Sequence, residues 1–166
     1  MRIGPAATDA DFRAVEGLMQ QMRRLDERLS AEHGVAAGQV AVFYEGRSAR
    51  ALAALYRGPG AAMMVARDDQ GIAGCGGLTD EGDGTGELHH VFLEDRCRGQ
   101  GIGAAILQAL LDEGQRRGLR EIRLETASFL TAALAMYRRA GFTDCPPFRP
   151  VPEGLEALSV FMRRAV

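Results

Sequence analysis

The chain has no lysine, no asparagine and no tryptophan, and its 20 strongly basic residues are all arginines. Without lysine there is no GxxxxGK[ST] phosphate loop, because that loop needs the lysine to reach the terminal phosphates. The three cysteines, Cys75, Cys97 and Cys145, are scattered. They form neither a CxxC metal pair nor a disulfide framework, so no metal is expected. The formal net charge of −2 gives no basic field for a nucleic-acid backbone. No apolar run reaches the length of a bilayer span, and the N-terminus lacks the apolar core of a signal peptide. A cytoplasmic enzyme is expected, with neither nucleic acid nor membrane as partner.

What is present suits a globular chain: 46% hydrophobic and 25% charged residues over 166 positions. That length predicts one domain, residues 1–166. Thr8 is a candidate N-cap for a helix with apolar positions at Phe12, Val15, Leu18, Met19, Met22, Leu25 and Leu29. Arg47 to Tyr56 reads as a second helix. Ala62–Ala66 and Ile72–Leu78 read as strands joined by a turn at Asp68–Gly71, with a third strand at Leu88–Leu93 completing a meander. The acidic, glycine-rich stretch Asp80–Gly86 reads as an exposed loop. Glu121–Thr126 reads as a further strand and Leu130–Ala140 as a helix. Phe142–Cys145 and Leu158–Arg163 read as short strands. Four prolines between Pro146 and Pro152 stiffen the connector between these last two.

The informative stretch runs from Gly86 to Gly118. A strand leads into Arg98-Gly99-Gln100-Gly101-Ile102-Gly103, and Ile102, Ile106, Ala109 and Leu110 then recur at helical spacing. A helix N-terminus offers unpaired N–H groups and partial positive charge, and glycine lets phosphate oxygens come close. A phosphorylated ligand is therefore expected at this turn. The spacing is GxGxG, not the GxGxxG of a dinucleotide-binding fingerprint, so a dinucleotide-dependent redox protein falls well behind.

Arg98–Gly103 matches [QR]xxGx[GA], and the chain here resembles the GNAT superfamily of acyl-CoA-dependent N-acyltransferases. The pattern also fits from Arg96 to Gly101; the later register sets Gly101 and Gly103 against the helix start. Tyr137-Arg138-Arg139-Ala140-Gly141-Phe142 resembles the family's closing Y-x-x-x-G-F signature. Leu130 stands where the family usually has asparagine. The resemblance covers Ile72 to Phe142 well and the first third loosely. It implies an α+β fold in α/β/α layers, with a mixed, mostly antiparallel central sheet whose middle strands splay around acyl-CoA.

Several roles follow from the resemblance. Backbone groups of Val91, Phe92 and Leu93 would hold the pantetheine arm. Arg98, Gly99, Gln100, Gly101, Ile102, Gly103 and Ala104 would cradle the pyrophosphate of acetyl-CoA, a co-substrate. Tyr137 would protonate or solvate the leaving thiolate. Glu125 is the candidate base, with Glu87 and His89 as rivals. The proline-rich loop is either a rigid connector or a wall of the acceptor pocket. In the second case Phe148 supplies an apolar face and Arg149 a fork for an acceptor carboxylate. The expected activity is acetyl transfer to a primary amine of a small molecule. The alternatives are protein acetylation or an acyl-CoA-binding regulatory module without turnover. Monomer and homodimer both stay open.

Overall fold

The computed structural model describes residues 1–166. The strands are β1 (Arg2–Pro5), β2 (Ala61–Asp68), β3 (Gly71–Gly82), β4 (Thr85–Leu93), β5 (Glu121–Ala127), β6 (Thr143–Asp144) and β7 (Ser159–Ala165). The helices are α1 (Asp9–Ala31), α2 (Ala37–Ala41), α3 (Ala49–Tyr56), α4 (Ile102–Arg116) and α5 (Thr131–Arg139). One seven-stranded sheet runs β1-β2-β3-β4-β5-β7-β6, and only the β4–β5 pair is parallel. No helix is long and apolar enough to cross a membrane.

The two apolar stripes read in the sequence lie on opposite faces of this sheet. From α1, Phe12, Val15, Leu18 and Met19 pack with Leu52 and Tyr56 of α3 over Met63, Val65 and Cys75. From α4, Ile102, Ile106, Leu107, Leu110 and Leu111 pack with Leu134 and Tyr137 of α5 over Leu78, Leu88, Ile122 and Leu124. The mixed α/β/α architecture expected from the resemblance is thus present. Thr8 caps α1 in a capping box with Asp11. Ser48 caps α3, so this helix begins after Arg47 and not at it.

The expected loop Asp80–Gly86 is mostly strand. β3 runs on to Gly82 and β4 starts at Thr85, leaving a turn at Asp83–Gly84. Gly86 there serves packing: it is buried, and a Cβ on it would stand 2.6 Å from Leu119 Cδ1. Strand β6 is shorter than expected, only Thr143–Asp144. The proline-rich segment after it crosses the end of the sheet to α2. There Leu155 packs with Val35 and Val40, and Gln39 donates to the Glu153 carbonyl at 3.0 Å.

Gly77 in β3 faces the buried ring of Tyr56, and a Cβ there would stand 2.7 Å from Tyr56 Cζ. That ring is held by α3 and cannot swing clear. Gly77→Ala should therefore lower unfolding free energy by about 1–3 kcal/mol. Gly4→Ala on edge strand β1, with nothing within 4 Å of the new carbon, should change it by less than about 0.5 kcal/mol. Urea unfolding of the two variants checks the contrast.

Candidate active site

The site begins where β4 and β5 part. Parallel pairing joins Thr85–Leu88 to Glu121–Leu124 and stops at Leu88–Leu124. Beyond that pair β4 bulges. Between the pairs Gly77–His89 and Cys75–Phe92, two residues of β4, His90 and Val91, oppose the single residue Gly76. His90 takes a left-handed conformation, with φ of 56°. A bulge bends its strand and adds twist, and here it turns β4 away from β5. The bulge also breaks the period-two alternation that a regular strand over Leu88–Leu93 would show. Glu94 N–H donates to the Ala73 carbonyl at 2.9 Å, and Phe92 pairs with Cys75. Antiparallel alternation then commits the backbone of Phe92 to β3 and turns that of Val91 and Leu93 to the open edge. Of the three residues expected along a pantetheine arm, these two have free edges.

At the end of β4 the chain passes through a short 3-10 turn, Asp95–Cys97, into α4. Gly101 is the N-cap, left-handed with φ of 77°, and no side chain caps the helix. The N–H groups of Gly99, Gln100, Gly101, Ile102, Gly103 and Ala104 donate to nothing in the chain. Gln100 folds its amide back onto the Arg96 carbonyl at 2.9 Å, clear of the helix end. Arg98 sits beside Asp95 at 3.1 Å. Open N–H groups at a bare helix end match what a pyrophosphate requires. Gly103 has a packing duty besides its open N–H. A Cβ on it would meet Leu93 Cδ1 and Met136 Sδ, each at 3.2 Å. Its smallness lets α4 sit on β4 and α5.

Between the parted strands lies a cavity of about 360 Å³. Val91, Glu125 and Tyr137 line it from the sheet and α5, and Arg149 from the proline-rich loop. That loop is therefore a wall as well as a connector. Leu130, in the position where the resemblance expects asparagine, also lines it. None of the residues from Arg98 to Ala104 does. Phe148 does not either: it packs edge-on against Phe161, centroids 4.9 Å apart, with Arg123 stacked 4.2 Å from its ring centre. Its surroundings give the expected apolar pocket wall no support.

Arg149 pairs with Glu87 and stands 3.7 Å from Glu125. Its guanidinium already answers two carboxylates of the chain, so it has little left for the carboxylate of an acceptor. Glu87 is buried and also held by Arg123 Nε at 3.2 Å. Two arginines compensate it, which makes it a poor general base. His89 shares its Nε2 with the Thr79 hydroxyl at 2.9 Å, and burial, helped by Arg47, pushes its pKa down to about 4. Burial and the Arg47 charge push His90 down to about 3. Burial raises the Glu125 carboxyl above its ordinary range, opposed by a hydrogen bond to Ser159. Burial likewise raises the Tyr137 phenol. Burial thus moves the Glu125 pKa toward neutrality and that of His89 away from it, and a pKa near the working pH favours proton transfer.

Several cavity residues escaped the sequence reading, among them Asp26, Tyr44, His90 and Arg47. Arg47 lines the cavity from the turn before α3. The sequence reading gives Arg47 the start of a helix and no place in the site. Ser48 is the signal that could have placed it, since an N-cap serine puts the preceding residue outside the helix.

A seven-stranded sheet opened between its parallel strands, with a bare helix end at the mouth of the opening, defines an acyl-CoA N-acyltransferase scaffold. The model of the acetyltransferase (GNAT) family matches residues 21–142, and the chain belongs to that family of acyl-CoA-dependent N-acyltransferases. An IAA acetyltransferase from Azospirillum brasilense is 36% identical over 107 residues, 64% of this chain and 69% of the relative. A Klebsiella pneumoniae structure assigned as an acyl-CoA N-acyltransferase is 28% identical. It superposes with a TM-score of 0.73 over 99% of this chain and 96% of its own. The PaiA N-acetyltransferase of Thermoplasma acidophilum, solved with coenzyme A, has the same fold at 15% identity. Its TM-score is 0.77, with 100% of each chain covered.

The two depressed histidines give stability a pH dependence of fixed sign. In the unfolded chain each titrates near 6.5, whereas folded His89 titrates near 4 and His90 near 3. From pH 6.5 down to about 4 the unfolded chain binds more protons, so stability falls as pH falls. The loss should be on the order of 1–3 kcal/mol per histidine. Glu125, with its pKa raised, slopes the other way above about 4.5 and offsets part of this. Urea unfolding between pH 7.5 and 4.5 should show the decline, and His89→Gln with His90→Asn should flatten it.

Proposed function

We propose that this chain transfers an acetyl group from acetyl-CoA to the primary amine of a small molecule, by direct attack within a ternary complex. The observation that carries the reading is the meeting of Tyr137 and Glu125 on one cavity at the fork of β4 and β5. Met22, Asp26 and Ser30 of α1 and Val40 of α2 also line the cavity, whose volume of about 360 Å³ suits a small acceptor.

The unpaired N–H groups of residues 99–104 would take the pyrophosphate, and the open edge at Val91 and Leu93 would take the amide-bearing arm. The thioester would then lie near Tyr137. Acetyl-CoA supplies an activated acyl carbon and a thiolate leaving group. An alkyl ammonium has a pKa near 10.4, so less than about one part in a thousand is free amine at pH 7. Glu125, directly or through a water, accepts the proton that leaves the ammonium. The nitrogen lone pair adds to the carbonyl carbon, the C–S bond breaks, the sulfur departs with the bonding pair, and the nitrogen sheds its second proton to solvent. The Tyr137 hydroxyl makes no hydrogen bond within the chain and is free to donate to that sulfur. A phenol is a weaker acid than a thiol by about 1.5 pKa units, and burial of Tyr137 widens the gap. Hydrogen bonding to the thiolate is therefore its main role, and solvent completes the protonation.

Tyr137→Phe keeps the ring that packs edge-on against Phe142 and removes only the hydroxyl. Thiol release from acetyl-CoA across a panel of amines should fall about 100- to 10,000-fold. The upward melting shift with saturating acetyl-CoA should persist, about 2.7 kcal/mol at 100 times the dissociation constant. Wild-type turnover in the Phe variant would remove Tyr137 from the chemistry. Acetyl-CoA binding with no thiol release from any amine would favour a binding module.

A further inference from the structure

Three buried side-chain polar atoms in the chain have no hydrogen-bond partner: Arg47 Nε, Tyr56 Oη and His90 Nε2. Two of the three, on Arg47 and His90, belong to side chains lining the cavity. Arg47 also forms no salt bridge, whereas the other arginine of the cavity, Arg149, is bound to Glu87. An unmet buried donor is destabilising unless something outside the chain meets it. A guanidinium presents a planar fork that fits a carboxylate with two parallel N–H···O bonds. A neutral imidazole beside it can donate a further hydrogen bond in one tautomer.

The rest of the cavity narrows the ligand. Asp26, Glu87 and Glu125 line it too, and a doubly charged phosphate would meet about twice the repulsion that a single carboxylate on Arg47 meets. Val42 and Phe43 also line the cavity and remain substantially exposed, and Leu155 and Leu158 face it from the proline-rich loop. Apolar surface of this extent suits a hydrocarbon or aryl body.

We infer that Arg47, with His90 beside it, is the acceptor's anchor, and that the acceptor is an amine carrying a carboxylate and an apolar body. The carboxylate-gripping role expected of Arg149 passes to Arg47. The inference builds on the acetyl-transfer reading for where the amine points; the anchor itself is a matter of binding and can be measured without turnover.

The test uses unreactive probes. Titration calorimetry on the CoA-loaded protein compares phenylacetate, 3-phenylpropionate and 4-methylpentanoate with their carboxamides. Wild type should bind at least one carboxylate about 10- to 150-fold more tightly than its amide. Arg47→Met should lose that preference without losing ligand-free stability, because it removes an unmet donor. Arg47→Lys should keep part of it. A parallel assay measures acetylation of phenylalanine against phenylalaninamide, and Arg47→Met should raise the KM of phenylalanine and leave that of acetyl-CoA unchanged. Carboxylate preference in the calorimeter with no thiol release from any amine would sustain the anchor and remove the acetyl-transfer reading. No carboxylate preference in wild type, or the same preference in Arg47→Met, would overturn the anchor and leave acetyl transfer standing.

Discussion

The site depends on four residue pairs. Thr85–Leu88 bond to Glu121–Leu124 in parallel, and the pairing stops there. Below the stop the sheet is continuous, and Leu88, Ile122 and Leu124 are sealed under α4 and α5. Above it the two strands line opposite sides of the cavity. A buried strand edge leaves its N–H and C=O groups unmet, which is costly unless a ligand takes the place of the missing strand. The bulge at His90 sustains the separation, because the extra residue turns β4 away from β5. Gly76 and Gly77 of β3 let Leu110, Ile106 and Tyr56 close on the sheet behind it.

Charge is arranged around the same fork. Glu87 lies one residue before the last paired position, and its register partner is Arg123. Arg149 reaches it from the proline-rich loop. A buried carboxylate with two guanidinium partners is compensated, whereas removing either arginine would leave charge poorly matched in a dry place. Two residues further along β5 from Arg123, Glu125 keeps only a distant arginine and a serine hydroxyl, and burial raises its pKa. Two carboxylates at one fork thus stand in different settings: Glu87 ties the loop to the sheet, and Glu125 has no close cationic partner.

What the sequence revealed is what local patterns encode. The turn Arg98–Gly103 and the helix after it could be read because glycine placement and helical spacing are local. Tyr137 could be read because its neighbours carry a signature. The bulge at His90 could not: period-two alternation assumes one residue opposite one, and the extra residue exists only through the pairing with β3. Asp80–Gly86 misled because acidic residues and glycines suggest exposed turns, while Gly86 is glycine to admit Leu119, a contact from 33 residues away. Arg149 looked like a free fork because its partner Glu87 lies 62 residues earlier. Arg47 carried no local signal of a site, because its lack of any partner is a property of the folded chain alone.

The central claim is that the open edge of β4 and the bare end of α4 are the seat of acetyl-CoA. Amide hydrogen exchange, measured residue by residue with and without acetyl-CoA, tests it most directly. The account predicts fast exchange at Val91, Leu93 and residues 99–104 in the free protein and strong protection of these amides on binding. Acetyl-CoA binding that leaves them exchanging at their free rates, with protection elsewhere, would contradict it.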